Sequence, residues 1–323
     1  MWRTGVFAVI LAGPVAAEDL NLATPIDCKL GETCFLQQFV DHDPGPGVRD
    51  FACGAASYDG HKGTDFRIDT NDMRAGVDVL APAAGRVRGM RDGMADSLTP
   101  APGSIDGREC GNGLVIEHTD GWSSQLCHLK RGSVTVRQGE RVIAGQVVGQ
   151  VGLSGKTEFP HLHVTMRKND KVVDPFAPDL APGSCGTGLG APLWSDTAIA
   201  TEAERPTRVI ATGFAEGAPD YRAVLDGTYD DILPVRAKPL VLWAVAINGQ
   251  KGDQMDLVLT TPDGQILTPD GDGLDKNKAQ FFRFFGKRAP RGGWAKGTYG
   301  WSVTLTRDGV EIDRRAGEVQ ISR

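Results

Sequence analysis

The chain has 323 residues, enough for two domains, and carries 41 acidic against 35 basic side chains, a formal net charge of −6. An acidic surface repels the phosphates of nucleic acids and of anionic lipids, so this charge argues against a nucleic-acid partner. Glycine accounts for 42 residues, roughly double its usual share, which is typical of a turn-rich β protein rather than a helical one.

Residues 1–17 have the pattern of an export signal. Arg3 gives a positive start, and an apolar run follows at 6–11. Val15 and Ala17 suit the small-residue site at which such signals are cleaved. The run is too short to span a bilayer, and no later stretch is apolar enough for a membrane helix. We therefore expect an exported protein, periplasmic or secreted; a buried N-terminal segment is the alternative.

Short β-favouring runs alternate with glycine turns over 55–180, which predicts a mostly β domain. Within it, 111–118 and 122–129 are predicted to form a hairpin. The segment 161–176 predicts a strand, a polar turn and a second strand. A polar stretch with proline and glycine at 90–110 is expected to be a surface loop.

A second β domain is expected after a glycine- and proline-rich linker at 181–194. Asp-Gly turns lie between β-favouring runs in 255–267 and 297–312, and they predict an antiparallel β-sandwich over 195–323. This half contains no histidine, so we expect no catalytic group in it. The predicted fold class is thus mostly β: an irregular segment at 18–54, the first β domain and the sandwich.

The six cysteines of an exported chain suggest disulfides, although the sequence alone leaves 15 pairings open. Three pairings fit the predicted elements: Cys28 with Cys34, Cys53 with Cys185, and Cys110 with Cys127. The third joins the two ends of the predicted hairpin, but its partners are out of register, so it requires a bend before Gly111. A thiolate metal site is the alternative, and no Cys-x-x-Cys motif supports it.

Two histidines stand one residue apart in "PHLHVTM" (160–166). On a strand, alternate side chains share a face, so His161, His163 and Thr165 point one way while their apolar neighbours point into a core. Two adjacent imidazoles on an open face suit a metal site in which one is a ligand and the other reaches the bound water.

His61 and Asp65, in "GHKGTDF", offer a second imidazole and a carboxylate, with Gly63 allowing the chain to fold sharply between them. Two imidazoles and one carboxylate are a common ligand set of catalytic zinc, which keeps water in its fourth position. The alternative is a loop histidine with a capping aspartate.

The register of the predicted hairpin indicates which of its two histidines, His118 and His128, can lie near the site. His128 ends its second strand and is predicted to face Asn112, whereas His118 lies roughly 20 Å from that point. His118 is therefore expected to be structural. His42 is expected to be a solvated loop residue.

Together, "HKGTD", "GNGLVIEHTDGWSSQLCHL" and the glycine-spaced stretch that ends in "PHLHVTMRKNDKVVDPF" resemble the lysostaphin-type (LytM-like) zinc metallopeptidases. The resemblance covers about 55–180, in the same order. It implies a β-groove fold with one Zn²⁺. It also implies roles for five residues: metal ligands His61, Asp65 and His163, and catalytic histidines His128 and His161.

The chain departs from the family pattern at three places. Leu126 stands where the family often has tyrosine, and Phe159 replaces the usual glycine before "PHLH". The 90–110 segment is longer than usual. These changes could reshape the groove, so the resemblance leaves the substrate preference open.

The function implied by the resemblance is hydrolysis of the peptide crosslinks of bacterial peptidoglycan by zinc-activated water, with the stem peptides as binding partners. A D-alanyl to diaminopimelate bond is the expected target. One of the two catalytic histidines is expected to act as base while the other stabilises the oxyanion, and the sequence leaves their order open.

Two other functions remain open from the sequence. One is a metal-independent regulatory or binding protein of the cell wall, and the other is a peptidase that acts on protein substrates. The sandwich at 195–323 could hold wall polymer or a protein partner, or it could only shield the groove.

Overall fold

The computed structural model describes residues 20–98, 103–186, 188–228, 239–269 and 271–321. The predicted export signal at 1–17 lies outside these residues. Among the described helices, none has the length and apolar character needed to cross a bilayer.

The first half of the chain is built from short strands. In chain order its elements are β1 (Cys34–Gln38), β2 (Thr64–Ile68), α1 (Thr70–Ala75), β3 (Asp78–Leu80), β4 (Gly85–Arg91), β5 (Asn112–Glu117), β6 (Trp122–Leu129), β7 (Arg141–Val142), β8 (Val147–Gln150), β9 (His161–Lys168) and β10 (Lys171–Val173). One antiparallel sheet has the order β1-β2-β9-β6-β5-β4-β7, with β10 paired to β9, and β3 pairs with β8 in a small second sheet.

Strand β9 lies near the middle of the large sheet and shows the predicted division into two faces. Leu162, Val164 and Met166 are fully buried in the core of this half. Burial of each such side chain stabilises the folded state by roughly 1.5–3 kcal/mol. The core therefore fixes which face of β9 carries His161 and His163.

The expectation of an irregular 18–54 is wrong at 34–38, which forms β1 at the edge of the large sheet. All five residues of β1 are buried, so the run "CFLQQ" lacks the alternation of apolar and polar residues that marks a half-buried strand. Its pairing with β2 is also interrupted between Leu36 and Gln38.

The predicted hairpin of β5 and β6 is confirmed, with Val115 opposite Gln125 and Glu117 opposite Ser123. The register then shifts, so that Asn112 faces Leu129 rather than His128. The shift is a bulge, which a count of residues from the turn cannot reveal.

All three expected disulfides are confirmed: Cys28–Cys34, Cys53–Cys185 and Cys110–Cys127. The bend that the third requires is present at Gly111, whose φ is +67°.

The second half begins with a helix and continues as two sheets. Its elements are α2 (Thr197–Ala203), β11 (Arg208–Ala215), α3 (Tyr221–Leu225), β12 (Pro239–Gly249), β13 (Gln254–Thr260), β14 (Ile266–Leu267), β15 (Lys278–Arg288), β16 (Gly297–Arg307) and β17 (Val310–Ile321). The sheets have the orders β11-β12-β15 and β14-β13-β16-β17, both antiparallel.

The two sheets enclose a common core, which confirms the predicted sandwich. Leu240 and Leu242 of one sheet pack in the same cluster as Tyr299, Val303 and Leu305 of the other. The opposite face of β12 packs against α3 instead.

The two halves are closely joined. Trp194, at the end of the expected linker, is buried in the first core together with Ile199 of α2, so this helix packs with the first half. Further contact comes from the Asn248 side chain, which donates to the Gln37 carbonyl, and from Thr70, whose hydroxyl donates to the Leu225 carbonyl at 2.6 Å.

Gly111 gives a test of the fold. A Cβ at this position would lie 2.3 Å from the Ser154 carbonyl carbon, so Gly111→Ala is expected to lower the free energy of unfolding by about 3 kcal/mol. Chemical denaturation with the disulfides intact measures the loss. Gly145→Ala is the matched control, because Gly145 has φ +77° but nothing within 4 Å of its Cβ position, and only about 1–2 kcal/mol should be lost. Equal losses of unfolding free energy in the two variants would contradict the close approach of Gly111 to the Ser154 carbonyl.

Candidate metal centre

The pairing of β2 with β9 sets the candidate site. Asp65 lies directly opposite His163, and Arg67 lies directly opposite His161. Residues opposite each other in an antiparallel pair point to the same face. The register therefore places one carboxylate beside the His-x-His pair on the face opposite the core.

His61 approaches this pair from the loop that precedes β2. Its Nδ1 lies 2.7 Å from the Phe39 carbonyl oxygen, which only accepts hydrogen bonds, so Nδ1 carries the proton. The unprotonated Nε2 lies 3.3 Å from Asp65 Oδ1 and 3.1 Å from His163 Nδ1. The Phe39 carbonyl thus fixes the ring nitrogen that His61 presents to the site.

His163 is oriented in a similar way. Its Nε2 bonds the Thr165 hydroxyl at 2.9 Å, and its Nδ1 lies 2.8 Å from Asp65 Oδ1. Partners of this kind on the second ring nitrogen are typical of metal-binding histidines, because they fix the ring and raise its basicity.

The donor atoms of His61, Asp65 and His163 all lie within 4.8 Å of one another. In a tetrahedral zinc site with bonds of about 2.0–2.1 Å, neighbouring donor atoms are about 3.3 Å apart. The separations of 2.8, 3.1 and 3.3 Å are close to that value. Two imidazole nitrogens and one carboxylate oxygen are also the donors that zinc takes in catalytic sites, so the residues fit this metal.

Gly63 permits this convergence through close packing. A Cβ at this residue would lie 2.6 Å from the Val164 carbonyl oxygen and 2.7 Å from the His163 ring. Glycine is required here because there is no room for a side chain, not because the backbone adopts an unusual angle.

His128 and His161 lie beside the three candidate ligands. Their ring centres are 4.6 Å apart, and the His128 ring is 5.9 Å from that of His163. Each donates from Nδ1 to a backbone carbonyl, His128 to Ser154 at 2.8 Å and His161 to Phe159 at 2.9 Å. Each therefore keeps an unprotonated Nε2.

The backbone of His128 has φ 64°, a left-handed conformation that is uncommon for residues other than glycine. It is held there because its N–H donates to the Cys110 carbonyl at 2.9 Å, and its own carbonyl accepts from Gly152 at 2.9 Å. The bulge at the end of β6 thus turns the His128 ring toward the other histidines.

The electrostatics of the site differ from group to group. Burial opposes a charge on His61, but the neighbouring Asp65 carboxylate raises the pKa of His61 above its ordinary value. Burial alone would raise the pKa of the Asp65 carboxyl, but the neighbouring charges of His61 and His161 hold it well below its ordinary value. Burial, reinforced by repulsion from His161 and His163, holds the pKa of His128 well below its ordinary value. Burial also lowers the pKa of His161. Neutral imidazoles can bind a metal or accept a proton at neutral pH.

The structure brings all five candidate residues together, and it adds one that the sequence analysis did not select. The Tyr58 ring lies 4.3 Å from the His61 ring and is half-exposed at 48%. Its position in the sequence, three residues before His61 in the same loop, is the signal from which its place beside the site could have been predicted.

The other two histidines have different outcomes. His118 is structural, as expected, since its nitrogens bond the Ala84 carbonyl and the Ser124 hydroxyl, both at 2.9 Å. The prediction that His42 is solvated is wrong. Its Nε2 lies 2.9 Å from the buried Asp174 carboxylate, because the 41–50 loop folds back onto the end of the first half.

Comparison with known proteins gives matches to part of the chain. Residues 59–175 match the sequence profile of peptidase family M23. The chain is 33% identical over 121 residues to the cell division protein DipM of Caulobacter vibrioides, covering 37% of this chain and 17% of that protein. It is 33% identical over 112 residues to the DD-carboxypeptidase/endopeptidase Mpg of Neisseria meningitidis, covering 34% and 24%.

A third relative is the peptidoglycan DD-endopeptidase ShyB of Vibrio cholerae, 30% identical over 105 residues, covering 32% of this chain and 23% of that protein. The chain therefore spans between 17% and 24% of the length of these relatives.

The lowered pKa of His128 predicts acid sensitivity of the metal-free protein. Below about pH 6.5 the unfolded chain binds a proton that folded His128 does not, so the free energy of unfolding falls as the pH falls. One such histidine contributes a slope of at most about 1.4 kcal/mol per pH unit. His128→Gln, whose amide can still donate to the Ser154 carbonyl, should reduce the slope.

Denaturation of chelator-treated protein between pH 7.5 and pH 5 measures this slope. Parallel curves for the wild type and His128→Gln would contradict the assignment of a neutral, buried His128.

Proposed function

Residues 59–175 belong to peptidase family M23, and on that premise we propose that the protein is a zinc-dependent endopeptidase that hydrolyses peptide crosslinks of bacterial peptidoglycan. The observation that carries the proposal is the convergence of His61 Nε2, Asp65 Oδ1 and His163 Nδ1 beside two further histidines. The named activities of Mpg and ShyB support the same reaction and substrate class.

His61, Asp65 and His163 are proposed to hold one Zn²⁺. When bound, zinc acts as a Lewis acid that lowers the pKa of water toward about 7 and polarises a carbonyl. The ligand atoms are held in place before binding, by the Phe39 carbonyl at His61 and by the Thr165 hydroxyl at His163. Asp65 contributes the negative charge.

His128 and His161 are the proposed catalytic histidines. Each presents an unprotonated Nε2, because its Nδ1–H is committed to a backbone carbonyl. One accepts the proton from the attacking water as general base. The other takes up a proton from solvent as negative charge develops on the substrate and donates from Nε2 to the oxyanion of the tetrahedral intermediate, and the general base returns the proton of the water to the leaving amine.

The face of the sheet that carries the metal centre also carries an open cleft, which is the proposed binding site for an extended peptide. On β9, His161, His163, Thr165 and Arg167 follow one another on the same face by period two. Arg167 and Ser123, opposite it on β6, line an open cleft of about 440 Å³. A stem peptide lying in this cleft would reach the metal centre at the other end of the face.

Export is proposed together with this substrate. The three disulfides of the chain are typical of proteins that fold in an oxidising compartment, such as the periplasm or the cell exterior. Peptidoglycan is present in the same compartment.

Zinc content tests the ligand assignment. His163→Ala is expected to lose zinc and activity together, because it removes one of three protein ligands. His161→Ala is the matched control on the same strand, and it should keep stoichiometric zinc while losing most of its turnover. Mass spectrometry of the native proteins measures the metal. Stoichiometric zinc in His163→Ala would contradict the assignment.

Digestion of purified sacculi tests the substrate. We expect the wild type to release soluble muropeptides whose new ends are a D-alanyl carboxyl and a diaminopimelate amine, identified by chromatography with mass spectrometry. A denatured protein serves as the comparison substrate, and chelator should abolish release. Cleavage of the protein without release of muropeptides would overturn the proposed substrate.

A further inference from the structure

Phe159, which replaces the glycine usual in the resembled family, lies against one of the proposed catalytic histidines. Its ring centre is 4.7 Å from that of His161, and its carbonyl accepts the His161 Nδ1 hydrogen bond. The guanidinium carbon of Arg67 lies 4.6 Å from the same ring centre. Phe159 thus contacts both a cation and His161.

Arg67 is an unusual residue for this position because it is a buried cation. Its side chain is only 6% exposed, and in the described part of the chain it forms no ion pair with a carboxylate. Its Nη1 donates to the side-chain oxygens of Gln37, at 2.8 Å, and of Gln280. A buried charge is costly unless its donors are satisfied, so these two amides and the Phe159 ring decide where the guanidinium lies.

One of these amides belongs to the sandwich. Gln280 lies on β15, and its Nε2 donates to the Tyr221 hydroxyl of α3, which leaves its Oε1 directed at Arg67. The neighbouring strand β12 also contacts Gln37, the other amide that binds Arg67, because the Asn248 side chain donates to the Gln37 carbonyl. The sandwich is therefore linked to His161 by three contacts, through the two intervening residues Arg67 and Phe159.

We propose that the sandwich positions His161 through this relay, from Gln280 to Arg67 to Phe159. Gln280 and Arg67 touch no reacting atom and act as positioning residues, while Phe159 restricts the rotation of the His161 ring. The register supports the relay, because Arg67 is the direct cross-strand neighbour of His161. The inference rests on the proposed function, since it assigns His161 a role in that reaction.

Truncation of the glutamine tests the relay. Gln280→Ala is expected to lower kcat on a crosslinked muropeptide about tenfold, with KM within about twofold and zinc content unchanged, because a displaced catalytic group slows the chemical step rather than binding. Gln254→Ala, at the exposed start of β13, is the matched control and should retain the wild-type kcat. Wild-type kcat in Gln280→Ala would overturn the relay.

A conservative replacement separates positioning from a general structural role. Gln280→Glu keeps an acceptor for Arg67, so it should restore kcat to within about twofold of the wild type. In a Phe159→Gly background, which breaks the relay closer to His161, Gln280→Ala should lower kcat no further. If the double variant instead lost kcat by the product of the two single losses, the relay would be overturned.

The relay also has a readout that needs neither substrate nor zinc. In chelator-treated protein, the ring nitrogen resonances of His161, assigned by their loss in His161→Gln, should show one tautomer with the proton on Nδ1. Gln280→Ala should give a mixture of tautomers and Gln254→Ala should not. An unchanged spectrum in Gln280→Ala overturns the relay. If the wild type cuts no muropeptide, the proposed function fails, but this spectrum still decides the relay.

Discussion

The pairing of β2 with β9 is the constraint on which the candidate site depends. It sets Asp65 opposite His163, and a slip of one residue would turn either side chain into the core. The slip is opposed by the fully buried residues on the other face of β9, among them Leu162 and Val164. The hydrophobic core therefore holds the metal-binding register.

Two of the groups that orient the histidines are backbone carbonyls from distant parts of the chain. The Phe39 carbonyl fixes His61, and the Ser154 carbonyl fixes His128. These contacts do not depend on the side chains of the residues that make them. A sequence can therefore show the imidazoles while leaving invisible the partners that select their tautomers.

Much of the fold was predictable from the sequence because it follows from local signals. The alternation in β9, the Asp-Gly turns of the sandwich and the cysteine positions each predicted an element or a bond that the structure contains. The five candidate site residues came from motif spacing and from the family resemblance, and the structure brings them together.

The sequence predictions that were wrong share a physical cause: each depends on a tertiary contact that leaves no local pattern in the sequence. Strand β1 is buried along its whole length, so it lacks alternation. The bulge that offsets Asn112 from His128 depends on bonds to Cys110 and Gly152. His42 is paired only because its loop folds back on Asp174.

The bridge between Cys53 and Cys185 joins residues 132 positions apart, on either side of nearly every strand of the large sheet. Closing so long a loop removes several kcal/mol of chain entropy from the unfolded state. The segment that it ties down leads directly to His61 and supplies the Tyr58 ring beside it. Reduction of this bridge would return that entropy to the unfolded chain, so the free energy of unfolding would fall.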